Sequence, residues 1–190
     1  MGGGGAGAYY EGSLTITSDV SLTFNAGGSY KISTITSTIL NVIAGYGGRS
    51  FRSLPGGEDG NNGSSGGGGI GTSHSLYPAG SGDSPGTNGG TAFQGTNVRA
   101  GGGGGGAGGQ GGNASSSVGG AGGNGITPTN RNGINQFYTT PLCVGGQGGT
   151  TTSAGASSST YGSGAGGRDG GGSTYYYGQP GAIIIAVPKT

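Results

Sequence analysis

His74 is the only histidine of this 190-residue chain, and it stands between Ser73 and Ser75 with Asp83 further on. Those types could compose a nucleophile, its base and an orienting carboxylate, but such a triad is defined by geometry and roles rather than by composition. In a chain this rich in serine the coincidence carries no weight. Glu58 and Asp59 are adjacent; on an extended backbone neighbouring side chains point apart, so these carboxylates do not flank one substrate. Cys143 follows Pro141 and Leu142 without a local base and reads as a small buried apolar residue. One His, one Cys and no acidic cluster leave no metal-ligand set. Gly-x-Gly-x-x-Gly matches are unavoidable in residues 101–112, yet no strand–helix unit surrounds them and no acidic residue follows at the spacing a dinucleotide site needs. A phosphate-binding loop needs Gly-Lys-Ser/Thr, and the only lysines are Lys31 and Lys189. Asn113-Ala114-Ser115 fits a glycosylation acceptor by chance. The expectation is a protein that is not an enzyme and holds no cofactor and no metal.

The elements that would position any site are equally unusual. Seven Lys and Arg stand singly against six Asp and Glu, which makes no nucleic-acid footprint. No apolar run approaches the roughly 18 residues of a membrane helix, and the single cysteine permits no internal disulfide. Residues 1–8 lack the basic and apolar regions of a secretory leader and read as a cut or processed end. Ile, Leu, Val and Phe total 27 residues while glycine supplies 56. That composition alone would indicate a disordered segment. The order of the glycines argues otherwise.

In residues 101–113 the non-glycines after the first glycine run fall at Ala107, Gln110 and Asn113, with two glycines between each. Val118, Ala121 and Asn124 repeat the spacing, as do Val144, Gln147 and Thr150; Tyr46 to Arg49 and Ala165 to Arg168 show one step each. A period of three is neither helix nor strand. It matches an extended left-handed helix with three residues per turn and ~3.1 Å rise. With two of three side chains missing, such helices can approach closely and pair their N–H and C=O groups laterally. Each ordered glycine costs ~0.5–1 kcal/mol relative to alanine, so only a cooperative bundle could offset the total.

The predicted fold is therefore mostly irregular: a bundle, or sandwich, of polyglycine-II helices with tip loops on a small β-sheet base, without α-helix. Residues 1–12 read as a flexible glycine-rich start. Residues 13–43 alternate β-branched and polar positions (Leu14, Ile16, Val20, Leu22, Phe24, Tyr30, Ile32, Leu40, Val42) and read as the β base. Glycine runs are expected near 43–49, 56–71, 80–90, 100–113, 118–125, 144–150 and 164–172, within a bundle spanning 44–180. The apolar run 182–187, within 181–190, reads as a strand buried on both faces that returns to pair with the base.

Glycine motifs alternating with unlike, Tyr- and Ser-rich segments over about residues 43–180 resemble the distal tail-fibre adhesins of T-even-like bacteriophages. The stretches that carry the likeness are 101–113, 118–125, 144–150 and 165–172 with the loops between them. The resemblance implies polyglycine-II helices, and variable loops that bind a bacterial outer-membrane protein or lipopolysaccharide. It also implies a mount on a trimeric tail-fibre protein and a place at the fibre tip of the virion. It implies no nucleic-acid partner and no membrane insertion. This sequence departs from the family's pattern where only some 40 residues precede the first of these runs.

If runs alternate in direction, the loops fall into two sets. One set holds Phe51, Phe93, Phe137, Tyr138, Tyr175, Tyr176 and Tyr177. Aromatic residues set among Ser, Gly and Asn are paratope-like, so these seven, with Arg99, are the expected receptor-binding residues. Gly178-Gln179-Pro180 is read as the turn that puts the tyrosines at the tip. Two rival classes stand beside this one. An ice-binding protein calls for regular repeats and measurable thermal hysteresis; a structural glycine-rich protein calls for repeats running to both ends.

Overall fold

A computed structural model describes residues 2–13, 15–25, 33–49, 64–71, 75–83, 86–129, 139–168 and 176–184. The period-2 zone yields β1 (Thr23–Asn25), β2 (Ser33–Thr36) and β3 (Asn41–Ala44), an antiparallel sheet in the order β1-β2-β3. The register sets Phe24 opposite Ile35 and Ile35 opposite Val42, one apolar row across the three strands. This sheet is thin: none of the described residues between 9 and 44 is buried. Leu14, Tyr30 and Ile32 lie outside the described residues. The run at 181–184 forms no strand and does not join the sheet; Gly181, Ala182 and Ile183 are exposed, and Ile184 packs on the core instead. An apolar run of that length fits a core-capping segment as well as a strand, and periodicity alone cannot separate them. Residues 185–190 lie outside the described set. Among the described residues there is no α-helix.

The glycine segments pair through their backbones in rotation. Gly3, Gly4 and Gly5 N–H donate to Gly102, Ala165 and Gly48 carbonyls (2.9, 2.8 and 2.8 Å). Ala6, Gly7 and Ala8 then donate to Gly105, Gly162 and Gly45, the same three segments in the same order. Residues 101–106 repeat this, turning in succession to Gly149, Gly69, Gly112, Gly146, Gly66 and Gly109. Each third residue thus faces the same neighbour, whereas a strand alternates between two. The glycine-rich start is thus paired with other segments over residues 3–8. Gly2, Gly3, Gly5 and Ala6 are buried, and Cβ atoms on Gly3 and Gly5 would collide with the backbones of Gly146 and Ser65. Composition suggested disorder here because the segment lacks the period; the missing side chains in fact let it lie among five others.

The hydrogen bonds also set direction. Gly103 N–H reaches Gly112 O and Gly106 N–H reaches Gly109 O, so the run 100–113 doubles back at Ala107 and Gly108. The run 80–90 is a hairpin as well, with Gly89 N–H on Gly80 O and Gly86 N–H on Asp83 O. A glycine turn keeps the three-residue spacing, which hides the reversal. A further segment near Gly155, paired with Gln147 and Gly167, was not anticipated. Hydroxyls hold the 106–109 turn: Ser65 Oγ donates to Gly106 O (3.2 Å), and Thr87 Oγ1 lies 2.7 Å from both Gly106 O and Gly109 O.

These pairings define two ends. At the near end Ala8 pairs with Gly45, so residues 9–44 leave and return there. An apolar cluster of Ala6, Ala107, Leu142 and Cys143 seals it, with Tyr9, Ile126 and Ile184 packed against it. At the far end Ile70 and Ala100 are buried beneath two short hairpins, β4 (Ile70–Gly71) with β5 (Leu76–Tyr77) and β6 (Phe93–Gln94) with β7 (Arg99–Ala100).

Candidate functional site

Four hairpin turns gather at the far end. They lie between Gly71 and Leu76, Gln94 and Arg99, Ser115 and Val118, and Thr150 and Ser153. They adjoin one another. Ala114 N–H donates to Thr91 O (2.8 Å), and Asn113 Oδ1 accepts from Thr91 N–H (2.9 Å). Ala100 bridges to Thr150. Thr151 Oγ1 accepts from Arg99 N–H (3.1 Å) and lies 3.3 Å from Arg99 O. The last three turns are therefore tied to the segments beside them, and Thr96, Asn97, Ser116, Ser117, Thr152 and Ser153 meet solvent. Leu76, Val98 and Val118 are about half exposed, and Thr96 and Asn97 are exposed. A Cβ on Gly95 would stand 3.3 Å from Phe93 Cε1, so the Phe93 ring lies beside this turn glycine.

Four charged side chains among the described residues can be placed. Arg99 belongs to the far end, and Arg168 lies level with Gly149, next to the Thr150 turn. Glu11 sits at the near end, where its carboxylate accepts from Tyr9 Oη (3.0 Å), Thr129 N–H (3.3 Å) and Thr129 Oγ1. Asp83 lies in the near-end turn that it closes with Gly86.

Of the expected receptor-binding residues, Phe93 and Arg99 come together at the far end, both half-buried. Tyr176 and Tyr177 do not join them. Gln179 N–H donates to Ser163 O, and Gly162 N–H to Pro180 O. Residues 178–180 are thus an extended segment antiparallel to 162–164, not a turn, and the two tyrosines lie on the flank of the molecule. Tyr177 is 79% exposed. Phe51, Phe137, Tyr138 and Tyr175 lie outside the described residues. The loop that contains Phe137 and Tyr138 is closed by the Ile126–Leu142 bridge and tied to Glu11 through Thr129, which puts its two stems at the near end. The expected grouping thus divides, because the two hidden hairpins change the parity of the loops. Leu76, Val98 and Val118 were missed. Their only signal is a lone apolar residue inside a Ser-, Thr- or Asn-containing turn.

His74, Ser73, Glu58 and Asp59 lie outside the described residues. Among the described residues no group of three His, Cys, Asp or Glu could hold a metal, and no helix is long and apolar enough to cross a membrane.

Cys143 is buried in the near-end cluster and adopts a left-handed backbone (φ 55°). Burial pushes its thiol up to about 11. Burial, and then the hydrogen bond and charge of Glu11, push Tyr9 up to about 12. Both groups are neutral when protonated, and the folded chain holds those protons more tightly than the unfolded one. Their stabilisation is complete below the unfolded values and is lost as pH rises through the folded ones. The melting temperature is expected to fall from about pH 9 to 12, with Cys143 accounting for roughly 3 kcal/mol. Thermal melts against pH check this: in Cys143→Ser the fall should begin only above about pH 10, and identical profiles for both proteins would refute it.

Comparison with known protein families, characterised proteins and solved structures gave no match to this chain.

Proposed function

We propose that this chain is a receptor-binding adhesin: a scaffold of polyglycine-II helices that presents hairpin turns to a bacterial surface at the tip of a phage tail fibre. The observation that carries the scaffold reading is the three-way rotation of backbone donors along residues 3–8 and 101–106. That rotation is the lateral pairing expected of helices with three residues per turn, whose own backbone groups have no internal partners. Such a scaffold is stiff and nearly free of side chains, so chemistry is confined to its turns.

The far end supports the binding role. Four adjoining turns differ in sequence while the segments behind them share one pattern, and they expose Leu76, Val98 and Val118 beside Phe93 and Arg99. Isolated exposed apolar residues are ordinary, but several on neighbouring turns of one face mark an interaction surface. Arginine and aromatic residues are the usual anchors of such surfaces. The partner in this reading is an outer-membrane protein or lipopolysaccharide, the latter matching the arginines through its phosphates. Residues 9–44, at the opposite end, face the trimeric fibre. The test is retention of purified chain on outer-membrane fractions from a panel of bacteria. Retention by a subset of strains is expected; equal retention by all strains, or by none, would contradict the reading.

A further inference from the structure

Residues 2–8 are held almost wholly by backbone. They donate to segments 45–48, 102–105 and 162–165, and their carbonyls accept from Ser65, Gly68 and Gly146 N–H groups. Ala6 is fully buried. Five segments therefore form a channel around this one, selective by exclusion: Cβ atoms on Gly3 or Gly5 would come within 3.0 Å of backbone oxygens. The connection from this segment to the rest of the chain is different in kind. Among the described residues of 9–44 none is buried, and Tyr9 in the apolar cluster and Glu11 on Thr129 join the stretch to the body.

We propose that the channel bounded by residues 45–48, 64–68, 101–106, 144–147 and 162–165 is a binding site for an uncharged, extended Gly/Ala segment, and that it takes residues 2–8 of a second copy of this chain in place of its own. Exchange replaces each hydrogen bond with an identical one, so the swapped and unswapped forms differ chiefly in pairing entropy and in the path of 9–44. Concentration then sets their ratio. The inference rests on the hydrogen-bond pattern and is independent of receptor binding.

The test uses two full-length chains with different tags, unfolded together and refolded at ~1 and ~100 µM, a range in which mass action favours dimers. Mixed-tag dimers are expected, at least ~10-fold more abundant at the higher concentration. Excess peptide with the sequence of residues 2–8 should suppress them, and the same peptide carrying Gly5→Val should not. Absence of mixed dimers overturns the proposal, as do dimers that survive the peptide or equal suppression by both peptides. Should the intact chain fail to regain its melting transition, co-expression of the two tagged chains in one cell supplies the pairing step, and the presence or absence of mixed dimers decides.

Discussion

Gly104→Val is expected to abolish the cooperative melting transition, while Gly12→Ala and Gly181→Ala leave the fold intact. A Cβ at Gly104 would press on the backbone of Gly4 and Gly5, in the middle of the molecule. The Gly104 N–H also donates to Gly146 O, and its carbonyl accepts from Gly123 N–H. Backbone on several sides cannot yield as a flexible side chain can. Overpacking in a tight core costs ~1–3 kcal/mol even where side chains can adjust, and here two lateral hydrogen bonds are at risk as well. Against a total stability of about 5–15 kcal/mol, that removes most of the margin at the lower end of the range, and a clash with backbone on several sides costs more than one that side chains can relieve. Gly148→Val should behave alike, since its Cβ meets the Gly101 backbone. Gly12 and Gly181 have nothing within 4 Å of a Cβ, and alanine there should be neutral or stabilise by ~0.4–1 kcal/mol through the unfolded state. Thermal melts of the four variants check the contrast; an unchanged midpoint for Gly104→Val would mean the segments are not packed as described.

Phe93→Ala and Arg99→Ala should each weaken adsorption to a bacterial strain that retains the chain by roughly 30-fold, the effect of losing an anchor worth ~2 kcal/mol. The hairpin that carries them is fixed by backbone: Phe93 pairs with Ala100, Gln94 with Arg99, and Thr151 holds Arg99 through its main chain. Truncating either side chain leaves those bonds in place, so melting should shift little. Tyr177→Ala is the internal control. It is the most exposed of the large hydrophobic side chains described, yet it lies on the flank, away from the four turns. Surface-binding affinity and a melt for each variant separate the cases. Full binding by Phe93→Ala and Arg99→Ala, or a loss confined to Tyr177→Ala, would place the binding surface elsewhere.

What the sequence revealed followed from periodicity, and what it hid followed from glycine itself. A small sheet involving Phe24 and Val42 was legible because alternation of apolar residues commits a segment to a pleated face, whereas its middle strand around Ile35 lies in a Thr-rich stretch with a single apolar residue and was not. The lateral pairing of residues 118–125 was legible in the two-glycine spacing. Direction was not. The turn at Ala107-Gly108 uses the same small residues as the segments it joins, so no Pro, Asn or charge marks the reversal; in the run 80–90 Asp83 and Pro85 stand where the chain turns, but the glycines on both sides read as one irregular run. Residues 2–8 escaped for a related reason: with seven small residues in succession no face is marked, and only the neighbours reveal that three faces are used. The site suffered most from this. Phe93 and Arg99 come together because two adjacent strands carry them, a local fact, whereas grouping them with Tyr177 depended on counting reversals along the whole chain.

Successive amides of the glycine segments turn to three neighbours rather than two. Scalar couplings across hydrogen bonds, measured by NMR on labelled protein, identify donor and acceptor directly. Along residues 101–106 couplings are expected to Gly149, Gly69, Gly112, Gly146, Gly66 and Gly109 in that order, a repeat of three segments. Couplings that alternate between two segments, as in a sheet, or that are absent along this stretch, would contradict it.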